Sequence, residues 1–220
     1  MLFNKRAAQL MAMLVMRLAF KALLWVAGAK KTIIGREHLL RDRSVLYAAN
    51  HRSFYDILLA YSEVPSRTLF IAKSGLKKYI IVAQWMYILQ CLFINREDMK
   101  QQMRVIMKAT ERAKEGSSVY IAPEGKRNAS DELLSFKEGS FRIAKKAGCP
   151  IIPVCIVGTE ELFEKAIPWL RKGKILIEFG KPVYLDKLEP EQQKYVGAYI
   201  QGIVADMYQK NKLLVKGEKA

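Results

Sequence analysis

Six short apolar runs, rich in β-branched and aromatic residues, constrain the fold of this chain more than any other feature. They are "SVLYAAN" (44–50), "TLFIAK" (68–73), "CLFIN" (91–95), "SSVYIAP" (117–123), "PIIPVCIVG" (150–158) and "KILIEFG" (174–180). Each predicts a mostly buried strand. Longer helical patterns lie between them. Residues 98–116 place Met103, Ile106 and Met107 on one face and charges on the others, with Gly116 as a stop. Residues 140–148 read as a short helix ended by Gly148, and 189–212 as a C-terminal amphipathic helix. Strands alternating with helices imply an α/β domain with a mostly parallel central sheet flanked by helices. In "CPIIPV", Pro150 and Pro153 predict a strand near an edge or a bulge, because proline cannot donate to a ladder. The tail 215–220 is expected to fray.

The first thirty residues are apolar but interrupted. Arg17 and Lys21 break the run before it reaches the ~18–20 uncharged residues of a spanning helix. The same charges argue against a signal peptide. At ~100° per residue, Arg6, Arg17 and Lys21 fall within about 60° of one another, with Leu, Met, Phe and Trp on the remaining surface. Two readings fit. One is a helix in a membrane interface whose cations snorkel to the headgroups; the other is a helix packed on the core or on a partner. We therefore divide the chain into a membrane-associating helical segment, 1–30, and an α/β domain, 31–215.

Ligands of such sheets bind in the loops beyond the strand ends. Three of these loops are polar. "NHRSFYD" (50–56) follows the first run and holds His51, one of only two histidines. Ser53 and Asp56 have the spacing of a capping box ahead of a helix. His51 and Asp56 are also close enough to meet, and a carboxylate on one ring nitrogen leaves the other free as a base. "FINRED" (93–98) offers Arg96 as a bidentate phosphate ligand, or simply a helix start capped by Asn95 or Asp98. "PEGKRN" (123–128) reads as a β-turn, or as a phosphate site built from Lys126, Arg127 and the backbone N–H groups beside Gly125. Glu124 is placed to orient Arg127 or to accept a substrate hydroxyl.

The absences narrow the chemistry. There is no G-x-S-x-G elbow, no P-loop and no G-x-G-x-x-G fingerprint. Cys91, Cys149 and Cys155 show neither zinc-ligand nor disulfide spacing, so no metal is expected. His38 has no partner motif and reads as a surface or turn residue. The net charge of +16 points to an anionic partner. Nucleic acid would explain that charge, but the aromatics sit inside strands rather than among basic residues, and no nucleic-acid motif is present.

The ordered set Asn50-His51-x4-Asp56, Phe93-Ile94-Asn95-Arg96, Pro123-Glu124-Gly125-Lys126-Arg127-Asn128 and Cys149-Pro150-Ile151-Ile152-Pro153-Val154 resembles the four motifs of the glycerophospholipid acyltransferases. Within that family it is most like the 1-acylglycerol-3-phosphate acyltransferases. The resemblance covers roughly residues 30–185, and the ordered set is far more specific than any one motif. Phe136-Lys137-Glu138-Gly139 matches a further family feature. The resemblance implies that His51 is the general base and Asp56 its orienter. It implies that Arg96, Glu124, Gly125 and Arg127 bind the acceptor's phosphate and glycerol part. Pro150 and Pro153 lie in the motif linked with the acyl donor. Lys73 stands where the family often has a lysine, and is taken as a substrate contact. The chain departs from the usual Glu-Gly-Thr-Arg-Ser third motif at Lys126 and Asn128. Gln90 and Asn95 replace the usual Gly and Asp of the second. An added cation at 126 favours an anionic acceptor.

The resemblance further implies acyl transfer from acyl-CoA or acyl carrier protein, as co-substrate rather than cofactor, to lysophosphatidic acid. The place would be the cytoplasmic face of the cell membrane, with a peripheral, monotopic attachment. The cations of residues 1–43, which outnumber Glu37 and Asp42, suit an anionic lipid surface. A free imidazole charges near pH ~6.5, so activity is expected to be lost in acid. The alternatives are another acceptor, such as glycerol 3-phosphate or a different lysolipid, and a non-catalytic membrane-binding protein of the same fold.

Overall fold

The computed structural model describes residues 2–217 except Ser66, Ala129, Pro168 and Leu170; of the first nine side chains it describes only that of Ala7. The elements run α1 (Leu2–Val26), β1 (Ala29–Ile34), β2 (Leu46–Ala49), α2 (Tyr55–Glu63), β3 (Thr68–Lys73), α3 (Ile80–Ile88), β4 (Leu92–Ile94), α4 (Met99–Lys114) and β5 (Ser118–Ile121). They continue with α5 (Arg142–Ala147), β6 (Ile151–Val157), α6 (Thr159–Leu162), β7 (Gly173–Phe179), α7 (Pro190–Lys194) and α8 (Val196–Lys216). Residues 218–220 of the tail expected to fray lie outside the described residues.

The seven strands form one sheet in the order β1-β7-β6-β2-β5-β3-β4. Every pairing is parallel except β6 with β7. Side chains alternate across the sheet and feed two cores. On one face Tyr47, Ala49, Val154 and Ile156 meet Leu58 and Leu59 of α2. On the other, Leu46, Ala48, Ile151 and Cys155 meet Val105 and Ala109 of α4, Ile143 of α5 and Ile200 of α8. The six expected strands are present. The seventh, β1, is an additional edge strand beside β7, and its exposed Lys30 and Lys31 discourage further pairing.

Two expectations are corrected. β6 is an inner strand, not an edge. Pro153 is tolerated because it sits just past the end of the β6–β7 ladder: the last ladder pair is Val154 with Phe179, the Gly180 N–H still donates to the Pro153 carbonyl at 2.8 Å, and pairing resumes as a bridge between Ile151 and Val183. In α4 the face toward the sheet is Val105, Ala109, Thr110 and Ala113, while Met103 and Met107 are each 52% exposed. Packing against the sheet selects the small residues, because they allow close approach. Asp98 caps this helix by accepting the Gln101 N–H at 2.9 Å.

The second correction concerns α1. Met13, Met16, Phe20 and Leu24 pack onto α2 and the first core, and Arg17 lies on that same face, donating to the Val64 carbonyl. It satisfies the C-terminal end of α2 instead of reaching for headgroups. Lys21 is exposed, and the side chains of Lys5 and Arg6 lie outside the described residues. The outward face of α1 is apolar, with Met11, Leu14, Leu18 and Trp25 exposed. Among the described residues, no helix is long and apolar enough to cross a membrane.

Candidate active site

β2, β5, β3 and β4 are parallel neighbours, so the loops leaving their C-terminal ends gather at one end of the sheet. The first loop is anchored by Asn50. Its buried amide donates to the Ile156 carbonyl and accepts the Ile156 N–H, both at 2.8 Å, extending the β2–β6 ladder with a side chain. The chain then turns into α2. Ser53 Oγ accepts the Tyr55 N–H at 3.0 Å, and Asp56 Oδ2 accepts the N–H groups of Ser53 at 2.8 Å and Arg52 at 2.7 Å. The same Oδ2 lies 2.9 Å from His51 Nδ1. One carboxylate thus both caps the start of α2 and bonds the imidazole. The carboxylate holds the proton on Nδ1 and leaves Nε2 with no protein partner among the described residues.

The loop after β5 locks onto the first. Glu124 Oε1 accepts the His51 N–H at 2.8 Å, and the Asn128 N–H donates to the His51 carbonyl at 2.8 Å. The second oxygen of Glu124 accepts the Leu134 N–H at 3.2 Å. Glu124 therefore positions the histidine backbone and does not orient Arg127. Burial raises its pKa, while the two amide donors pull the other way. Gly125 turns the loop at φ +76, and a Cβ there would come 3.0 Å from the end of Lys137.

Arg127 is 56% exposed and pairs with Glu164 at 3.0 Å, a residue whose other contact is the Phe54 N–H at 2.8 Å. With the arginine end exposed, a pair of this kind contributes little to stability. Lys126 is exposed beside it. Arg96 is half-buried, and burial lowers its pKa. Lys73, at the end of β3, is exposed.

Arg96 and Gly125 line a pocket of about 220 Å³ between α4 and the sheet. Its walls are Ile71, Ile94, Met103, Ile106, Met107 and Ile121, and its cations are Arg96, Lys137, Arg142 and Lys146. The pocket explains why two methionines of α4 point away from the core. It brings together Arg96 and Gly125 of the expected set; His51, Lys73, Lys126 and Arg127 are not among its lining residues.

Four contributors were not anticipated from the sequence. Thr159 Oγ1 donates to Asp56 Oδ1. The buried Arg52 guanidinium pairs with Glu160 at 2.7 Å, donates to the Ser130 carbonyl and lies 5.4 Å from the Tyr208 ring centre. Glu160 and Glu164 sit in and just after α6. Their signal in the sequence, "GTEELFE" (158–164), is a polar stretch immediately after a strand, of the same kind as the three loops singled out.

The thiols are unreactive: burial pushes Cys91 and Cys149 up to about 11, and Cys155 is pushed up as well. Among the described residues, no group of three or more His, Cys, Asp or Glu side chains is arranged to hold a metal ion.

Comparison with known proteins gives a consistent picture. The acyltransferase family model matches residues 30–157. A 1-acyl-sn-glycerol-3-phosphate acyltransferase of Chlamydomonas reinhardtii is 35% identical over 155 residues, 69% of this chain and 46% of that protein. One of Borreliella burgdorferi is 30% identical over 157 residues, 71% of this chain and 63% of that protein. The chain thus spans less than two thirds of the length of either relative. The crystal structure of the 1-acyl-sn-glycerophosphate acyltransferase PlsC from Thermotoga maritima matches with a TM-score of 0.82 at 27% identity, covering 96% of this chain and 86% of that one.

Proposed function

The chain belongs to the acyltransferase family, and we propose that it moves a fatty acyl group from acyl-CoA or acyl carrier protein to the free hydroxyl of 1-acylglycerol-3-phosphate, giving phosphatidic acid. The observation that carries this reading is a single loop, 123–128, that both holds His51 in place and lines an apolar pocket rimmed by cations. A lysophospholipid has that same pairing of an acyl chain and a phosphate.

In this reading His51 Nε2 takes the proton from the acceptor hydroxyl as its oxygen attacks the thioester carbonyl. The tetrahedral intermediate then expels the thiolate, which takes that proton back from His51 and leaves as the thiol. Asp56 keeps the proton on Nδ1 and stabilises the imidazolium formed in between. No covalent acyl-enzyme is needed. Arg96 and Lys126 hold the acceptor phosphate, joined by Arg127 once it leaves Glu164, and Lys73 lies at the edge of the substrate path. The pocket walls take an acyl chain.

Removing a phosphate ligand separates this reading from one with an uncharged acceptor. Arg96→Ala is expected to raise KM for lysophosphatidate about tenfold or more, the worth of a hydrogen bond to a charged group, while KM for the acyl thioester stays within twofold, about the precision of the assay. Steady-state kinetics in detergent micelles checks this. An unchanged KM for lysophosphatidate would remove Arg96 from the acceptor site.

The enzyme works at a lipid surface in this account, attached peripherally on the cytoplasmic side. Two exposed apolar helices support that placement. One is the outward face of α1. The other is α3, where Ile80 and Ile81 are 72% and 73% exposed beyond Lys77 and Lys78. The double variant Ile80→Asp and Ile81→Asp is expected to bind anionic vesicles at least about tenfold more weakly, since burying one isoleucine contributes about 1.5–3 kcal/mol. Vesicle co-sedimentation reads the change, and unaltered binding would exclude α3 from the contact.

A further inference from the structure

We propose that Thr159 is a positioning residue for acyl transfer, acting through Asp56 to set the direction and tautomer of His51; this rests on the acyl-transfer reading above. Asp56 is 1% exposed and its two oxygens are used unequally. Oδ2 accepts from His51 Nδ1 and from the N–H groups of Arg52 and Ser53, all supplied by the chain within five residues. Oδ1 has one hydrogen-bond partner among the described residues, the hydroxyl of Thr159, 103 residues further along the chain. The three donors on Oδ2 fix where that oxygen sits. Only the Thr159 bond fixes the rotation of the carboxylate about that point, and so the direction in which Oδ2 meets the imidazole.

Thr159 is itself completely buried, and the backbone that delivers it is specified. Gly158 ends β6 at φ +87, where a Cβ would collide with the Lys174 carbonyl oxygen. Only glycine makes this turn without strain. The Asn50 amide clamps the adjacent end of β2 to Ile156, so the turn after β6 and the turn after β2 are held side by side. A threonine there can reach Asp56 without moving either strand. A hydroxyl that served packing alone would have no need to point at a carboxylate oxygen, since valine fills the same volume.

The test compares Thr159→Val, which keeps the shape and removes the hydroxyl, with Thr159→Ser, which keeps the hydroxyl. The expected result is a fall in kcat of about ten- to a hundredfold for Thr159→Val, the worth of one hydrogen bond to a charged group. Both KM values should stay near wild type, and Thr159→Ser should recover most of the rate. A second measurement does not depend on turnover. In protein with ¹⁵N-labelled histidine, the His51 resonances are assigned by their loss in His51→Ala. Wild type and Thr159→Ser should show the Nδ1–H tautomer with slow proton exchange, and Thr159→Val or Thr159→Ala should show faster exchange and a mixed tautomer.

Wild-type kcat in Thr159→Val would overturn the proposal. So would equal impairment of the Ser and Val variants, or tautomer and exchange unchanged in every variant. If Thr159→Val does not fold, the spectra of Thr159→Ala and Thr159→Ser decide. If wild type acylates no acceptor, the acyl-transfer reading fails, and the tautomer measurement still reports on Thr159.

Discussion

Acyl transfer by His51→Ala is expected to fall about 10²–10⁴-fold below wild type, the range that a positioned acid–base group contributes. The loss should appear in kcat, with little change in either KM, because the imidazole acts on a proton that moves only in the transition state. The fold should survive. His51 is held through its backbone, by the Glu124 carboxylate and the Asn128 N–H, and those bonds do not need the ring. Asp56→Asn is expected to be nearly as slow, for a different reason: the amide oxygen can replace Oδ2 and its NH₂ can turn to the Thr159 hydroxyl, but the negative charge that stabilises the imidazolium is gone. Kinetics alongside thermal melts separates the two variants. A folded His51→Ala retaining more than about a tenth of wild-type activity would leave the motif as a helix cap only.

The largest effect on stability is expected at Arg52→Ala. Arg52 is a buried cation, and its removal strands Glu160, whose Oε2 already lacks a hydrogen-bond partner. Breaking one side of such a pair costs about 3–5 kcal/mol, because the remaining charge stays buried without compensation. For a chain of this length that is a fall in Tm of roughly 6–20 °C. Arg52 also donates to the Ser130 carbonyl and lies against Tyr208 of α8, so the loop beyond Asn128 should loosen with it. The double variant Arg52→Ala with Glu160→Ala should recover a good part of the loss, since the stranded charge is then gone. A single-variant cost below about 1 kcal/mol would mean that water reaches Glu160 and that the pair is no strut.

The parts of this molecule legible in the sequence are those that depend on local pattern. Runs such as "CIVG" and "ILIEF" have one stable use, as buried strands, and His51 and Asp56 are close enough in the chain for one turn to join them. β1 was not legible, because Lys30 and Lys31 interrupt its apolar pattern and only the edge of a sheet makes that acceptable. The shared face of Met103, Ile106 and Met107 was legible, but not that it lines the pocket beside Arg96 while Val105 and Ala109 meet the sheet. Arg17 looked like a headgroup ligand because the carbonyl it satisfies, Val64, is 47 residues away. The same holds for Thr159 and Glu124. What each touches is decided by which strands lie side by side, and β6 beside β2 is a property of the assembled sheet.

The measurement that bears most directly on the account identifies the product formed by wild-type protein. Lysophosphatidate in anionic vesicles is incubated with a long-chain acyl thioester, and both thiol release and lipid products are quantified by mass spectrometry. The account predicts phosphatidate appearing one for one with free thiol, and no acylated protein. Thiol released with free fatty acid in place of phosphatidate would mean that water, not a lipid hydroxyl, is the acceptor activated by His51, and would contradict it.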